Sequence, residues 1–219
     1  NLSITVAGTC SMQSFGLYNT SNSNTVIDGL DILLSGSGGC QNAAINNANA
    51  DIDLRNARIQ NNMTDMNPHY GIMNSTNGSV LRLEGSKVEV LFGESICYGV
   101  YSTGGIVYLD NTEVYSACTF YEYNAALYLE ASSAFLLNTL LDGWGNTGAS
   151  LESSNLEAHH SQITGEAHTI LTSGPYTIRL ADSQLLGPKI YHNTGTGSEV
   201  CIGVYDENFT NSSGYNACP

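Results

Sequence analysis

The chain has no run of about 20 apolar residues, so the sequence predicts no membrane-spanning helix. Cations are also scarce: six Lys and Arg are outnumbered by 20 Asp and Glu, for a formal net charge of −14. Such a surface repels phosphate groups, so we expect neither nucleic acids nor anionic membranes as partners. No Cys-x-x-Cys pair occurs, which disfavours zinc binding and thiol redox chemistry.

Charged residues make up only 12% of the chain, whereas 42% are hydrophobic, which is enough to form a core. The remainder is rich in Asn, Ser, Thr and Gly, with only four Pro. These turn-forming residues alternate with strand-forming ones, which indicates an ordered all-β protein and not a disordered one. Because the chain begins at Asn1 and shows no signal peptide, we expect a mature or trimmed form.

A motif of the form apolar-x-apolar-x-x-small-x-apolar recurs about every 22 to 29 residues. One clear copy is Leu81-Arg82-Leu83, which leads to Ser86 and Val88. A fixed period in this range is typical of a repeat architecture. The second apolar position of each copy serves as a marker, and the markers are Ile27, Leu54, Leu83, Leu109, Leu136, Ala158 and Leu180.

Each repeat also contains a small residue followed by an aliphatic one, as in Gly71-Ile72 and Gly99-Val100, about 10 positions before the next marker. Each repeat therefore supplies at least two short strands. No helical pattern of about 10–15 residues lies between them, so folds with helical crossovers are disfavoured. The expected fold is a β-solenoid of about seven or eight coils, a rod on the order of 35–40 Å long at about 4.8 Å per coil. We expect the small residue of the motif to lie at an inward corner, where its hydroxyl bonds to other hydroxyls or to backbone.

The motif, together with a C-terminal stretch from Cys201 to Phe209 that breaks the repeat, resembles secreted bacterial right-handed parallel β-helix proteins of the broad pectate-lyase-like group. The resemblance covers most of the chain from about residue 25. It implies a right-handed parallel β-helix, but that group contains lyases, hydrolases, tailspikes, adhesins and structural proteins, so it implies no single activity.

We expect one β-solenoid domain over residues 1–219. Residues 1–24 would form an N-terminal strand or cap, residues 25–190 the repeats, and residues 191–219 a C-terminal cap closed by a disulfide. Both ends of a solenoid need cover. Either disulfide-tied loops cover them, or they dock onto neighbouring subunits and form a filament.

The six cysteines indicate disulfides and an oxidising compartment. Six cysteines allow 15 pairings, and the order along the chain favours Cys10–Cys40, Cys97–Cys118 and Cys201–Cys218, the middle pair joining adjacent coils at equivalent positions. Secretion would also permit N-glycosylation, although a chain so rich in Asn, Ser and Thr contains some sequons by chance. The sequons begin at Asn1, Asn19, Asn62, Asn74, Asn77, Asn208 and Asn211.

Tyrosine is in excess, with 13 copies against five Phe and one Trp. Several fall in three successive coils, and three of these flank an inward aliphatic residue and should point outward. Exposed tyrosines stack on sugar rings or form protein contacts. The predicted assembly or glycan-binding surface contains Tyr98, Tyr101, Tyr108, Tyr115 and Tyr128.

Two acidic residues, Glu84 and Asp110, each follow the marker of their repeat, so adjacent coils should bring them together. An outward acidic ladder of this kind is a candidate site for Ca²⁺ or another cation. Paired carboxylates of the glycosidase type are the alternative.

Pectate-lyase-like enzymes, as the resemblance implies, use calcium-binding aspartates and a proton-abstracting Arg or Lys. The best such grouping here combines Arg58 and Lys87 of adjacent coils with Asp51 and Asp53. Surface charge is the simpler interpretation of these four residues.

No nucleophile elbow, phosphate-binding loop or Ser/His/Asp motif occurs in the sequence. We therefore favour a non-catalytic extracellular structural protein: a filament, surface-layer or adhesive subunit whose coils stack end to end, with itself or surface glycans as partner and no cofactor. The alternative is a polysaccharide-binding or polysaccharide-cleaving β-helix, either a lyase, a hydrolase or a tailspike-like protein. An ice-binding solenoid is a third hypothesis, disfavoured because flat threonine rows are absent.

Overall fold

The computed structural model describes residues 2–10, 13–20, 24–38, 41–64, 66–91, 96–118, 124–188, 190–206, 211–215 and 218. No helix occurs in these segments, and hence none long and apolar enough to cross a membrane. The strands found there are, in chain order, β1 (Leu2–Cys10), β2 (Gln13–Asn19), β3 (Thr25–Asp28), β4 (Leu30–Gly38), β5 (Gln41–Asn47), β6 (Ile52–Arg55), β7 (Arg58–Met63), β8 (His69–Asn74), β9 (Val80–Glu84), β10 (Lys87–Leu91), β11 (Cys97–Thr103), β12 (Ile106–Asp110), β13 (Glu113–Ala117), β14 (Ala125–Glu130), β15 (Ser133–Leu137), β16 (Leu140–Gly143), β17 (Thr147–Glu152), β18 (Asn155–His159), β19 (Gln162–Gly165), β20 (His168–Ser173), β21 (Tyr176–Ala181), β22 (Gln184–Leu186), β23 (Tyr191–Thr194), β24 (Gly197–Tyr205) and β25 (Asn211–Tyr215).

The strands stack in three series, each pairing in parallel with the strand three places further along the chain. Face 1 contains β3, β6, β9, β12, β15, β18, β21 and β24; face 2 contains β1, β4, β7, β10, β13, β16, β19 and β22; face 3 contains β2, β5, β8, β11, β14, β17, β20 and β23. Faces 1 and 2 join through β24, which pairs with both β21 and β22. The fold is thus a parallel β-helix of eight coils in the described residues, as the repeat predicts.

The markers of the repeat lie in register along face 1, from Ile27 through Leu54 and Leu83 to Leu180. Those from Leu54 to Leu180 are almost fully buried. A second inward column on face 3 contains Ile45, Ile72, Val100, Leu127 and Ile170, the aliphatic residues of the small–aliphatic pairs. Each coil has three strands, one more than the minimum predicted, because the last apolar residue of the motif begins a separate face.

A residue with left-handed backbone conformation turns the chain between faces 1 and 2 in every coil. Glycine adopts this conformation without cost, and Asn and Asp tolerate it better than other residues. Six of the eight positions are Gly or Asn, which explains the turn chemistry of the composition. The eight residues, with φ from 47° to 70°, are Gly29, Asn56, Gly85, Asn111, Asn138, His160, Asp182 and Gly203.

The small residue of the motif follows this turn and lies buried at the corner, as predicted. The N–H of Thr139 donates to Oγ of Ser161 (3.1 Å), and the N–H of Ser161 donates to Oγ of Ser183 (3.2 Å). The hydroxyls of Ser161 and Ser183 in turn donate to corner carbonyls. These bonds satisfy backbone groups where the strand pairing is interrupted.

A ladder of buried amides extends along the first coils of face 3. Nδ2 of Asn19 donates to Oδ1 of Asn47 (2.9 Å), Nδ2 of Asn47 donates to Oδ1 of Asn74 (2.8 Å), and Nδ2 of Asn74 donates to Oγ of Ser102 (3.2 Å). The same inward column continues with the apolar Leu129 and Leu151. We call the Asn19–Asn47–Asn74 part of this column the asparagine ladder.

The ends of the rod differ. Strands β1 and β2 pair with β4 and β5, so the N-terminal stretch is itself part of the stack. At the other end β25 pairs antiparallel with β24, and a disulfide joins Cys201 of β24 to Cys218. The Cys201–Cys218 pairing predicted from the sequence is confirmed.

The Cys97–Cys118 disulfide is also confirmed, but its two cysteines do not lie at the equivalent positions of adjacent coils that the sequence predicts. Cys97 begins β11 on face 3, whereas Cys118 follows β13, the face 2 strand of the next coil. In register, Cys97 pairs with His69 and not with Cys118. The bond therefore links successive coils across a corner. The predicted Cys10–Cys40 pair falls outside the residues whose side chains are described.

Candidate functional site

Four tyrosines form a compact group on the outer surface of face 3, here called the tyrosine cluster: Tyr70, Tyr98, Tyr101 and Tyr128. The rings of Tyr101 and Tyr128 stack at 5.3 Å between centroids, and those of Tyr98 and Tyr128 lie 4.7 Å apart. Tyr98 is 7% exposed, so its assignment to an open surface is wrong. It lies outside the solenoid core but is covered by its tyrosine neighbours.

Gly99 explains why Tyr98 and Tyr101 share the outer surface. Gly99 and Val100 both face inward, since a Cβ on Gly99 would collide with Val114 and with the backbone oxygen of Ala126. Two consecutive inward residues break the strict alternation, so the residues on either side of the pair both point outward. A sequence argument based on alternation alone misses this irregularity.

Two carboxylates fix the tyrosine cluster at its edge. The hydroxyl of Tyr101 donates to Oε2 of Glu130 (2.9 Å), and that of Tyr128 donates to Oε2 of Glu152 (2.8 Å). Burial, followed by the hydrogen bond and charge of the adjacent carboxylate, raises the pKa of both tyrosines well above its ordinary value of 10.0. Both hydroxyls therefore stay protonated and act as fixed donors.

A groove of about 610 Å³ lies beside Tyr128, further along face 3. Tyr128, Ser150, Leu171 and Tyr191 occupy one outward column on four successive strands. Three steps of about 4.8 Å separate the strands of the two tyrosines by about 14 Å. Ser150 and Leu171 therefore form a floor between two aromatic walls.

The second wall of the groove is a stacked pair. The rings of His168 and Tyr191 lie 4.8 Å apart at an angle of 15°, and Tyr191 is half exposed. Polar groups surround the floor, and none of the described residues that line the groove is Lys or Arg. The residues lining the groove are Tyr128, Thr147, Ser150, Glu152, Ala167, His168, Leu171, Ser173, Tyr191 and Asn193.

Sequence reasoning identified Tyr128 but missed Glu152, His168 and Tyr191. Their sequence separations follow the coil length, so only strand register brings them to one place. A pattern in the sequence could have identified them. Outward polar or aromatic residues recur about one repeat apart on face 3, just as the markers recur on face 1.

A second surface lies on face 1, around a cavity of about 440 Å³. Tyr108 and Phe135 stack at 5.1 Å, and the guanidinium of Arg82 lies 5.1 Å from the Tyr108 ring centroid. Tyr108 is exposed, as the sequence predicts. Tyr115 is half-buried on face 2 and shares no surface with it.

Glu84 and Asp110 pair in register on β9 and β12, as predicted. Arg55 accompanies them: its Nε lies 3.7 Å from Oε2 of Glu84, and its Nη2 lies 2.9 Å from Oδ2 of Asp53. Across the described segments, no three His, Cys, Asp or Glu side chains group so as to hold a metal ion. The Ca²⁺ ladder stays a prediction.

The lyase-like grouping is not assembled. Arg58 and Lys87 pair in register on face 2, whereas Asp51 and Asp53 lie on or next to β6 of face 1. Oδ1 of Asp51 accepts a hydrogen bond from the N–H of Val80 (3.0 Å). The turn between the two faces, at Asn56, directs the two sets of side chains to different surfaces.

A further carboxyl group that sequence reasoning did not consider lies on face 2. Asp142 lies on face 2 in register with Tyr115. Burial, and then the charge of Glu166, raises the pKa of the Asp142 carboxyl above its ordinary value of 3.8.

The sequons differ in exposure. Asn19 and Asn74 are buried in the asparagine ladder, so their amide nitrogens cannot carry a glycan in this folded state. Asn77 is exposed and Asn62 is half-buried. Asn1, Asn208 and the side chain of Asn211 fall outside the described part of the chain.

No protein-family model matches the chain, and no curated protein matches it. Among solved structures it is similar to a trypsin-treated variant of QnrB1, a plasmid-mediated fluoroquinolone resistance protein. The two are 13% identical, the match covers 95% of this chain and 93% of that one, and the TM-score is 0.27. A likeness at this level adds nothing about function.

Proposed function

We propose that the chain is a non-catalytic adhesive β-solenoid that binds neutral or amine-bearing glycans through the groove on face 3. The observation that carries this proposal is the pair of aromatic walls, Tyr128 and Tyr191, held on strands about 14 Å apart across a floor of two residues. Aromatic faces stack on sugar rings, and the gap suits one or two rings lying along the rod axis.

The charge of the groove supports a neutral or amine-bearing glycan. Glu152 lines it and Glu130 lies on the adjacent strand, in register. A uronic, sulfated or sialylated glycan would meet carboxylates, and no Lys or Arg among the described lining residues would compensate their charge. Because the Tyr128 hydroxyl is held by Glu152, little side-chain freedom is lost on binding.

The proposal also includes secretion of the protein and its membership of the pectate-lyase-like group. The two described disulfides support an oxidising compartment. Among the structural roles we favour adhesion over an end-to-end filament, because β25 occupies the edge of β24 where a further coil would have to pair.

A glycan array of neutral, amine-bearing and acidic oligosaccharides, followed by calorimetry on the hits, tests the proposal. We expect weak binding of a neutral or amine-bearing oligosaccharide, reduced about tenfold, or roughly 1.4 kcal/mol, by Tyr191→Ala. Tyr18→Ala removes an exposed face 3 tyrosine outside the groove and should leave binding unchanged. Binding confined to acidic glycans, or equal losses in both variants, would contradict the proposal.

A glycoside hydrolase is the second candidate, favoured by Asp142 alone. Burial, and then the charge of Glu166, raises the pKa of the Asp142 carboxyl, and a raised carboxyl pKa is the property required of a general acid. Incubating the array hits with the protein and analysing them for shorter products tests this candidate. Cleavage that Asp142→Asn abolishes would establish it, and intact glycans would exclude it for those hits.

A further inference from the structure

The outward side chains at the centre of face 1 form a column with an ordered charge pattern. Their register is continuous through seven strand pairings, so the column is straight along the rod. From β3 to β24 its members are Val26, Asp53, Arg82, Tyr108, Phe135, Glu157, Arg179 and Val200.

The middle of this column is apolar and open. Tyr108 is 36% exposed, Phe135 is 38% exposed, and the neighbouring Leu137 is 42% exposed. Contiguous exposed apolar side chains with a polar rim mark an interaction surface. Here the rim consists of opposite charges at the two ends, arginine on the Tyr108 side and glutamate on the Phe135 side.

The order of charged and apolar side chains along this column is complementary to the same order in the opposite direction. Consider a two-fold axis that lies in the face, parallel to the strands and midway between β12 and β15. A second copy rotated by 180° about this axis presents the column in opposite order. Tyr108 then meets Phe135 of the second copy, Arg82 meets its Glu157, and Asp53 meets its Arg179. Each of these contacts occurs twice because a two-fold interface is isologous.

The same two-fold rotation also gives one favourable contact in the adjacent outward column. Its register contains Glu84, Asp110, Leu137 and His159 on β9, β12, β15 and β18. Reversal places Glu84 opposite His159. Asp110 comes opposite Leu137, at the rim.

We propose that face 1 binds face 1 of a second copy of this chain, forming an antiparallel two-fold dimer centred between β12 and β15. Eight strands of about five residues give a footprint of roughly 34 by 16 Å, or about 550 Å² per copy. This is at the low end for specific interfaces, so the dimer is weak, with a dissociation constant in the micromolar range.

The dimer is independent of the proposed glycan binding. Face 3 lies on another side of the solenoid, so the groove stays open in the dimer. Loss of dimerisation in a variant that still binds glycans, or the converse, separates the two proposals.

Sedimentation velocity over a micromolar concentration series tests the dimer with a charge swap. Arg82→Glu sets glutamate against Glu157, and Glu157→Arg sets arginine against Arg82, so each single variant should weaken the dimer at least tenfold. The double variant restores opposite charges and should restore the dimer. Arg58→Glu, the same charge reversal on face 2, is the matched control and should have no effect.

Phe135→Ser tests the apolar centre in a side chain that is already partly exposed, so the fold should persist, as circular dichroism would verify. It should also weaken the dimer. A wild-type protein that is monomeric throughout the series would overturn the proposal. So would a double variant as monomeric as the singles, an equal effect of Arg58→Glu, or higher polymers in place of a dimer.

Discussion

Asp142 lies on face 2 beside Tyr115 of the preceding coil and Thr164 of the next, where burial and Glu166 disfavour its charged form. Because its pKa is raised in the folded protein, the folded state binds more protons than the unfolded chain in the pH range between the ordinary value of 3.8 and the raised one. Its contribution to stability therefore falls as the pH rises from the ordinary pKa through the raised one.

The neutral variant Asp142→Asn should be more stable than the wild type at pH 7, with a higher melting temperature. Near pH 3 the carboxyl group is largely protonated in both states, so the difference should shrink toward zero. Thermal melts at the two pH values check this. An equal difference at both would show that the variant acts through packing and not through the charge.

At the same scale, alternation along each strand correctly separated inward Leu81 and Leu83 from outward Arg82. It failed at Tyr98, where Gly99 and Val100 both turn inward. The failure has a physical cause: a glycine has no side chain to show which side of the strand it occupies, so the pattern gives no sign of the irregularity.

At the scale of elements, the asparagine ladder joins β2, β5 and β8 through side chains as well as backbone. Asn47 is its central member: it accepts from Asn19, donates to Asn74 and donates to the carbonyl of Ala50. All of these groups are removed from water or nearly so.

Asn47→Ala should lower the free energy of unfolding by at least about 2 kcal/mol, since each buried polar group left without a partner costs about 1–3 kcal/mol. Urea unfolding measures the change. Asn155→Ala, at an exposed asparagine on face 1, is the control and should shift stability by no more than about 0.5 kcal/mol. Similar shifts for the two variants would mean that the ladder contributes no net stability.

The repeat motif predicted the elements well, because it requires period-two alternation followed by a small corner residue. It predicted the inward columns and the corner hydrogen bonds, whereas the order of the cysteines along the chain predicted the two described disulfide pairings. It did not predict the third strand of each coil, nor that Arg58 and Asp53 would lie on different faces. Those outcomes depend on left-handed turns such as Asn56, whose conformation a short window of sequence does not reveal.

At the scale of the whole molecule, the C-terminal end is closed by β25 and by the Cys201–Cys218 bond. A disulfide closing a loop of about 15 residues is worth about 3 kcal/mol. Without it β25 should detach more readily and expose the edge of β24, which is an open template for pairing with another chain.

Replacing Cys201 and Cys218 by alanine should therefore lower stability by about 2–4 kcal/mol and produce concentration-dependent polymers in light scattering. The matched control replaces Cys97 and Cys118, which join two coils in the interior of the stack. That variant should lose comparable stability without polymerising, because β25 still covers the edge of β24. If both variants polymerise equally, general unfolding and not the exposed β24 edge is responsible.

The sequence by itself determined the class and repeat of this protein, because stacking identical coils demands the same residue type at the same place in each. The acidic surface and the disulfide-rich character likewise follow from composition alone. Only the tertiary structure decided which residues share a surface: Tyr128 with Tyr191 in the groove, and Arg82 with Tyr108, Phe135 and Glu157 on face 1. The physical reason is that these residues are 22 or more positions apart or on opposite sides of a turn, and only strand register across coils brings them together.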